Sequence, residues 1–195
     1  MSFPLLLKFQ RLLLQFQAVE RVVYVPGTKR LENDVEHSYG LAMLAWYICS
    51  KDNLSLDLNK ILKYALIHDV VEVYAGDTYA YDAAAQATKK EREHKALLKL
   101  KKEFQEFPEL YDTIDVYEAQ TDDESQFIKA LDKLHPHLLT YLDEGKMWRE
   151  RGMTLKMTTE AKQKYMDTCP AIKTYFDAIT RRLRKRPELF EGGQV

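Results

Sequence analysis

The sequence is poor in the residues that break or crosslink a chain. Its 195 residues include only 7 glycines and 6 prolines, which argues against a turn-rich β architecture. The two cysteines, Cys49 and Cys169, form no CxxC pair and are too few for a disulfide framework, as in proteins of a reducing cytoplasm. An apolar core must therefore stabilise the chain, and 46% hydrophobic residues are enough for one domain over 1–195.

Neither sign of charge dominates, and no long hydrophobic run is present. The formal net charge is −1, so the strongly basic surface of a dedicated nucleic-acid binder is excluded. No stretch approaches the roughly 18 apolar residues of a membrane span. Lys8, Gln10 and Arg11 interrupt the apolar N-terminal segment, whose spacing predicts an amphipathic helix instead of a signal peptide. We expect a cytoplasmic protein that binds neither nucleic acid nor membranes.

Apolar residues with helical spacing recur along most of the sequence. A loop marked by Pro26 and Gly27 is expected after the first helix, and a second loop around Trp148. Without clear strand patterns, the fold class is predicted as all-α, a compact multi-helix bundle. Helices are predicted over about 3–20, 34–51, 57–73, 87–106, 109–120, 124–143 and 160–185.

Polar residues fall on the inward face of the third predicted helix. Seven residues on from Ile61 stands His68, and the same step from Leu62 reaches Asp69. Glu72 follows one turn later on that face. Burying three titratable groups together is costly unless they pair with one another or coordinate a cation. The pattern indicates either a buried hydrogen-bonded His–Asp pair or a metal site.

The second predicted helix also turns a histidine inward. Stepping back from Ile48 through Leu44 and Leu41 leads to His37. Imidazoles and carboxylates are common ligands of borderline divalent metals, and two separate helices would supply them here.

A further ligand is predicted on the helix over 124–143. Asp132 borders the apolar stripe of that helix. Its alternative role is a surface ion pair with Lys129, three residues earlier. His135 and His137 are set aside as ligands because residues two apart do not share a helix face.

The order of these residues resembles the H…HD…D signature of the HD-domain phosphohydrolases. The flanks are similar to the 5′-deoxynucleotidase-like branch of that superfamily, and the similarity covers roughly residues 5 to 180. The resemblance implies a compact, helical HD-domain bundle. The matching segments are RLENDVEHS (30–38), LIHDVVEVYAGDT (66–78) and KALDKLHPHLLTYLDEG (129–145).

The resemblance implies one divalent metal ion, of cobalt, manganese, iron, nickel, zinc or magnesium. Its ligands would be His37, His68, Asp69 and Asp132, which would leave positions for water and for substrate oxygens. The resemblance further implies that Glu72 and Asp77 act near the bound water. From the residues alone, Asp77 has the alternative of simple turn or capping chemistry.

Two arginines are candidates for binding a substrate phosphate. Arg21 begins the loop after the first helix, and Arg30 lies in the same loop; a solvated surface charge is the alternative for each. In the resembling family an arginine near the end of the first helix contacts phosphate. A tryptophan that helps to exclude a ribose 2′-hydroxyl commonly follows it, whereas Val22 follows Arg21 here.

The resemblance therefore implies a metal-dependent phosphohydrolase acting on a nucleotide. The favoured substrate is a 2′-deoxynucleotide or an analogue, and the favoured reaction is that of a 5′-nucleotidase. The alternatives are a nucleoside triphosphate hydrolase, or an enzyme that accepts mono-, di- and triphosphates. A non-catalytic nucleotide-sensing module is an alternative of another class. A homodimer is also implied by the resemblance.

Overall fold

The computed structural model describes residues 2–193, and most of them lie in α-helices, which confirms the all-α prediction. A two-stranded antiparallel hairpin interrupts the helical order near the N-terminus. The helices are α1 (Phe3–Gln17), α2 (Asp34–Lys51), α3 (Leu58–Ile67), α4 (Glu72–Ala75), α5 (Ala83–Glu103), α6 (Pro108–Ala119), α7 (Asp123–Leu142), α8 (Lys146–Glu150), α9 (Leu155–Met166) and α10 (Pro170–Leu183). The strands are β1 (Glu20–Tyr24) and β2 (Leu31–Asn33).

The hairpin replaces the loop predicted after the first helix. Its ends pair Glu20 with Asn33 and Tyr24 with Leu31, with a register shift between them. β1 carries two adjacent valines, which favour a pleated, half-buried strand. The loop predicted around Trp148 is also wrong. This segment forms the short helix α8, in which the Trp148 side chain is buried.

The predicted bounds of α2 are confirmed, because the sequence specifies its start strongly. Asn33 accepts a hydrogen bond from the backbone N–H of Glu36, and Glu36 accepts one from the backbone N–H of Asn33. Such reciprocal capping contributes on the order of 1 kcal/mol. The cap fixes the first turn of α2, and therefore the position of His37, directly after β2.

The third predicted helix is not continuous, because α3 ends at Ile67. The ring Nδ1 of His68 lies 2.9 Å from the Ala65 carbonyl oxygen, which a continuing helix would use for the amide of Asp69. The next backbone bonds run three residues back, from Val70 to Ile67 and from Glu72 to Asp69. This tighter turn presents His68 and Asp69 to one pocket.

The last predicted helix is likewise two helices, α9 and α10. Pro170 opens α10, where its missing N–H costs nothing. Within α7, Pro136 is tolerated although it cannot donate to the carbonyl of Asp132.

Two apolar clusters support the site. The larger packs α2, α3, α7, α9 and α10 together, and Leu41, Ile61, Leu131 and Ile172 are fully buried within it. The smaller one lies between α1, α5 and α6. Over residues 2–193 the structure contains no helix with the length and hydropathy that a bilayer crossing requires.

Candidate metal centre and substrate pocket

Four of the predicted site residues converge at one point inside the domain. His37 comes from the first turn of α2, His68 and Asp69 from the turn after α3, and Asp132 from the middle of α7. One ligand atom from each lies within 4.8 Å of all the others. Two ligand atoms on opposite sides of a first-row ion are about 4.2 Å apart. The four side chains would therefore need to move only slightly toward one another to hold one ion.

The orientation of His68 fits a cation at this point. Its Nδ1 lies 2.9 Å from the Ala65 carbonyl, an acceptor only, so Nδ1 carries the ring hydrogen. The other ring nitrogen, Nε2, lies 3.0 Å from Asp69 Oδ2. Nε2 is buried and makes no hydrogen bond to any atom of residues 2–193. A metal ion between this nitrogen and the carboxylate would satisfy both.

His37 has the supporting contacts that metal-binding histidines usually have. Its Nε2 lies 3.1 Å from Asp132 Oδ1, on the side of the converging ligands. On the other side, Nδ1 lies 3.4 Å from Glu32 Oε2, and His135 stacks on the ring with centroids 5.1 Å apart. A carboxylate at the second nitrogen fixes ring orientation and raises ligand basicity.

Both ligand carboxylates are held in the ionised form. Burial would raise the pKa of Asp69, yet the charges of His68 and Arg21 bring it well below its usual value. Burial likewise opposes ionisation of Asp132, while Lys133 and His37 lower its pKa well below the ordinary range. Ionised carboxylates and imidazole nitrogens together form a donor set that suits a divalent cation.

Glu72 stands next to this centre and has a different electrostatic state. It is only 3% exposed, and burial followed by the charge of Asp69 raises its pKa well above the usual value. Its Oε1 accepts from Lys89 Nζ at 3.3 Å, while Oε2 is buried and has no hydrogen-bond partner in the described part of the chain. A carboxyl group with a raised pKa and a free oxygen is suited to exchange a proton with a nearby molecule.

Asp77 lines the same pocket, in the segment that follows α4. Gly76 precedes it with φ 74° and ψ 149°, a conformation open to glycine but not to other residues. Arg92 of α5 binds the Ala75 carbonyl and donates to Thr78 Oγ1 at 2.7 Å. These contacts hold the Asp77 segment against the pocket.

The two candidate arginines lie in different places. Arg21 of β1 lines the pocket and donates from Nη1 to Asp69 Oδ2 at 2.7 Å. Arg30 is exposed, and its two terminal nitrogens bind the Glu36 carboxylate at 2.7 and 2.8 Å. The structure thus brings Arg21 to the candidate centre and leaves Arg30 on the surface, just before β2.

Several side chains at the site were absent from the sequence prediction. His135 and His137 were set aside, but they are 5% and 1% exposed because α7 is enclosed on several sides. The pocket wall also contains lysines from three helices, namely Lys89, Lys133 and Lys162. Lys162 had a detectable signal: it lies on the inward stripe of α9 with Thr158 and Met166.

The fold and the site together define a helical domain built around a candidate divalent metal centre. The model of the HD domain family matches residues 14–173, and the chain belongs to that family. The relatives include the 5′-deoxynucleotidase HDDC2 of Homo sapiens, which is 33% identical over 131 residues, covering 66% of this chain and 63% of the relative. The protein of the same name from Mus musculus is 31% identical over 66% of this chain and 64% of the relative.

The chain thus spans slightly less than two thirds of the length of these curated relatives. Among solved structures, a predicted metal-dependent phosphohydrolase from Magnetospirillum magnetotacticum MS-1 has a TM-score of 0.81 and 26% identity, covering 97% of this chain and 98% of the other. A conserved hypothetical protein from Pyrococcus furiosus shares the fold, with a TM-score of 0.63 and 24% identity over 90% of this chain and 99% of the other.

Proposed function

We propose that this protein is a metal-dependent phosphohydrolase that removes the phosphate of a nucleoside 5′-monophosphate, with a 2′-deoxynucleotide as the favoured substrate. The observation that carries the proposal is the convergence of two imidazoles and two carboxylates beside the free oxygen of Glu72. The names of the curated relatives support the substrate class.

In this proposal His37, His68, Asp69 and Asp132 hold one divalent ion. When bound, the ion supplies charge stabilisation for the phosphoryl oxygens and favours ionisation of a water molecule. Asp69 also accepts from Arg21 at 2.7 Å, which keeps that guanidinium beside the centre. Arg21 is therefore placed to bind a phosphoryl oxygen with planar, charge-assisted hydrogen bonds.

Glu72 and Asp77 are the proposed proton-handling residues. The buried Oε2 of Glu72 has no protein partner, so it can accept a proton from the attacking water. Lys89 at 3.3 Å from Oε1 holds the carboxylate in place during that transfer. Asp77 also lines the pocket. Its proposed role is to position the nucleophile or to protonate the leaving oxygen.

A metal-by-nucleotide screen tests this function. Purified protein is assayed with cobalt, manganese, nickel, zinc or magnesium against deoxy- and ribonucleoside mono-, di- and triphosphates, with separate detection of phosphate, pyrophosphate and triphosphate. Release of orthophosphate from 5′-monophosphates is the expected result. Release of triphosphate from nucleoside triphosphates would replace the proposed reaction with another, and no turnover with any metal would favour a sensing module.

The remaining sequence predictions stay open proposals. They are a single domain over residues 1–195, a cytoplasmic location and a homodimer. Sedimentation of the purified protein tests the last of these.

A further inference from the structure

The pocket wall carries equal numbers of positive and negative side chains. Its four cations face four carboxylates, so the wall is formally neutral before any ion binds. A divalent ion would leave it at about +2, which a phosphomonoester dianion would cancel. The cations are Arg21, Lys89, Lys133 and Lys162, and the carboxylates are Asp69, Glu72, Asp77 and Asp132.

Three of the four cations already have a carboxylate partner within the pocket. Each of these cations is therefore already paired with a protein carboxylate before any ligand enters. The three pairs are Arg21 with Asp69 at 2.7 Å, Lys89 with Glu72 at 3.3 Å, and Lys133 with Asp132 at 2.7 Å. In residues 2–193, no carboxylate lies within 4.0 Å of the amine of Lys162, the fourth cation.

Lys162 occupies a position where a helix normally places an apolar residue. The buried residues of α9 are Leu155, Thr158 and Met166. Lys162 lies four residues after Thr158 and four before Met166, so it shares their face of the helix. The side chain therefore points toward α7 and the pocket, instead of toward solvent. Holding a lysine amine there has an energetic cost that a surface lysine would avoid.

The partner of the Lys162 amine is a neutral ring. Its Nζ lies 2.8 Å from Nδ1 of His137, which is 1% exposed. Burial, followed by the nearby Lys162 charge, lowers the pKa of His137 well below its usual value, so the ring accepts a hydrogen bond. Trp148 and Phe176 pack around the imidazole, with ring centroids 5.6 and 5.8 Å away. His137 orients the amine without neutralising it.

The electrostatic environment of Lys162 lacks negative charge. Burial and then the charge of Lys133 lower the pKa of the Lys162 amine to about 7, and the carboxylate of Asp132 compensates only in part. An anion entering the pocket would restore the charged form, because opposite charge favours ionisation. An amine oriented into a pocket and short of a counter-charge is suited to bind an anionic ligand.

We propose that Lys162 is a substrate-binding residue whose amine donates to an oxygen of the phosphoryl group. The inference deepens the proposed phosphohydrolase function and rests on it. The ligand class is a phosphomonoester dianion, and inorganic phosphate presents the same group. Lys162 would bind this group from α9, while Arg21 binds it from β1.

The first experiment compares Lys162→Met and Lys162→Arg with Lys164→Met, a control at an exposed position of the same helix. Each protein is loaded with Mn²⁺, and metal content, melting temperature, inorganic phosphate affinity, KM and kcat are measured. Lys162→Met should keep its metal, bind phosphate about 10- to 100-fold more weakly and show a raised KM. Lys162→Arg should recover part of the affinity, and Lys164→Met should behave as the wild type.

The second experiment uses the unmodified protein, so it remains decisive if Lys162→Met does not fold. An amine-reactive reagent is applied with and without inorganic phosphate, and labelling of each lysine is followed by mass spectrometry. Phosphate should slow the labelling of Lys162 and leave that of Lys164 unchanged. Equal labelling of Lys162 in both conditions would overturn the proposal.

The two proposals fail in different ways. If the wild type hydrolyses nucleotides and Lys162→Met binds phosphate equally well, the role of Lys162 is wrong and the hydrolase function stands. If the wild type hydrolyses nothing while phosphate still protects Lys162, the anion site stands and the hydrolase function fails.

Discussion

Two groups of residues at the site have opposite electrostatic needs. His37 and His68 converge with the carboxylates of Asp69 and Asp132; we call these four residues the metal end. Lys162 of the pocket wall contacts the neutral ring of His137; we call this pair the lysine end. The metal end has an excess of electron-pair donors, and the lysine end lacks negative charge. The two ends therefore create complementary demands, which a cation and an anion bound side by side would meet.

The largest effect is expected from breaking the metal end alone. Asp69→Ala removes a proposed ligand and the carboxylate that holds Arg21 at 2.7 Å. Metal binding should be lost, and activity should fall by about 1,000-fold or more, because the ion supplies several kcal/mol of charge stabilisation. Metal content and kcat/KM measure both effects. Asp177→Ala, at an exposed ion pair with Lys173, is the control. Full turnover by Asp69→Ala would refute the site.

A variant of Glu72 separates proton transfer from binding at either end. Glu72→Gln keeps the size of the side chain but cannot accept a proton, so activity should fall by about 100- to 10,000-fold. Metal content and phosphate affinity should stay near the wild-type values. Calorimetry and turnover assays check this, with the exposed Glu160→Gln as control. Wild-type kcat in Glu72→Gln would assign the proton to another group.

How far these residues were predictable depends on the surroundings of each helix. His37 and His68 were found because α2 and α3 have one inward stripe, on which a polar residue is conspicuous. The same rule gave no indication that His135 and His137 are buried, because α7 is enclosed by other helices and buries residues that do not share a face. A rule that assumes one buried face fails for a central helix.

The lysine end was missed for a different reason. The last helix was predicted to begin near 160, so Leu155 and Thr158, two of the three buried residues of α9, lay outside the predicted helix. With α9 starting at Leu155, Lys162 falls on the buried stripe by the argument that identified His68. The hairpin of β1 and β2 was missed because strands of 5 and 3 residues carry little periodic signal.

A smaller effect is expected from loosening the metal end without touching a ligand. In Gly40→Ala the new Cβ would lie 2.9 Å from Cε1 of His135, whose ring stacks on His37. Displacing that supporting ring should weaken metal affinity by about 10-fold. Metal titration of Gly40→Ala tests this, with the exposed Met43→Ala on the same helix as control. Unchanged affinity would show that the stacked ring does not position His37.

The smallest effect is expected at the lysine end. His137→Phe removes the acceptor of Lys162 but fills the space between Trp148 and Phe176. A less well oriented amine should weaken phosphate affinity by about 3- to 10-fold, since one hydrogen bond is lost. Metal affinity should not change. Phosphate titration checks this, with the exposed His94→Phe as control. Loss of metal in His137→Phe would contradict the separation of the two ends.

The most direct test of the central claim is the position of a bound ion. Crystals grown with Mn²⁺ can be measured at a wavelength where manganese scatters anomalously. We expect one anomalous peak within about 2.3 Å of ligand atoms from His37, His68, Asp69 and Asp132. A peak bound by other residues, or no peak in protein that hydrolyses nucleotides in Mn²⁺, would contradict it.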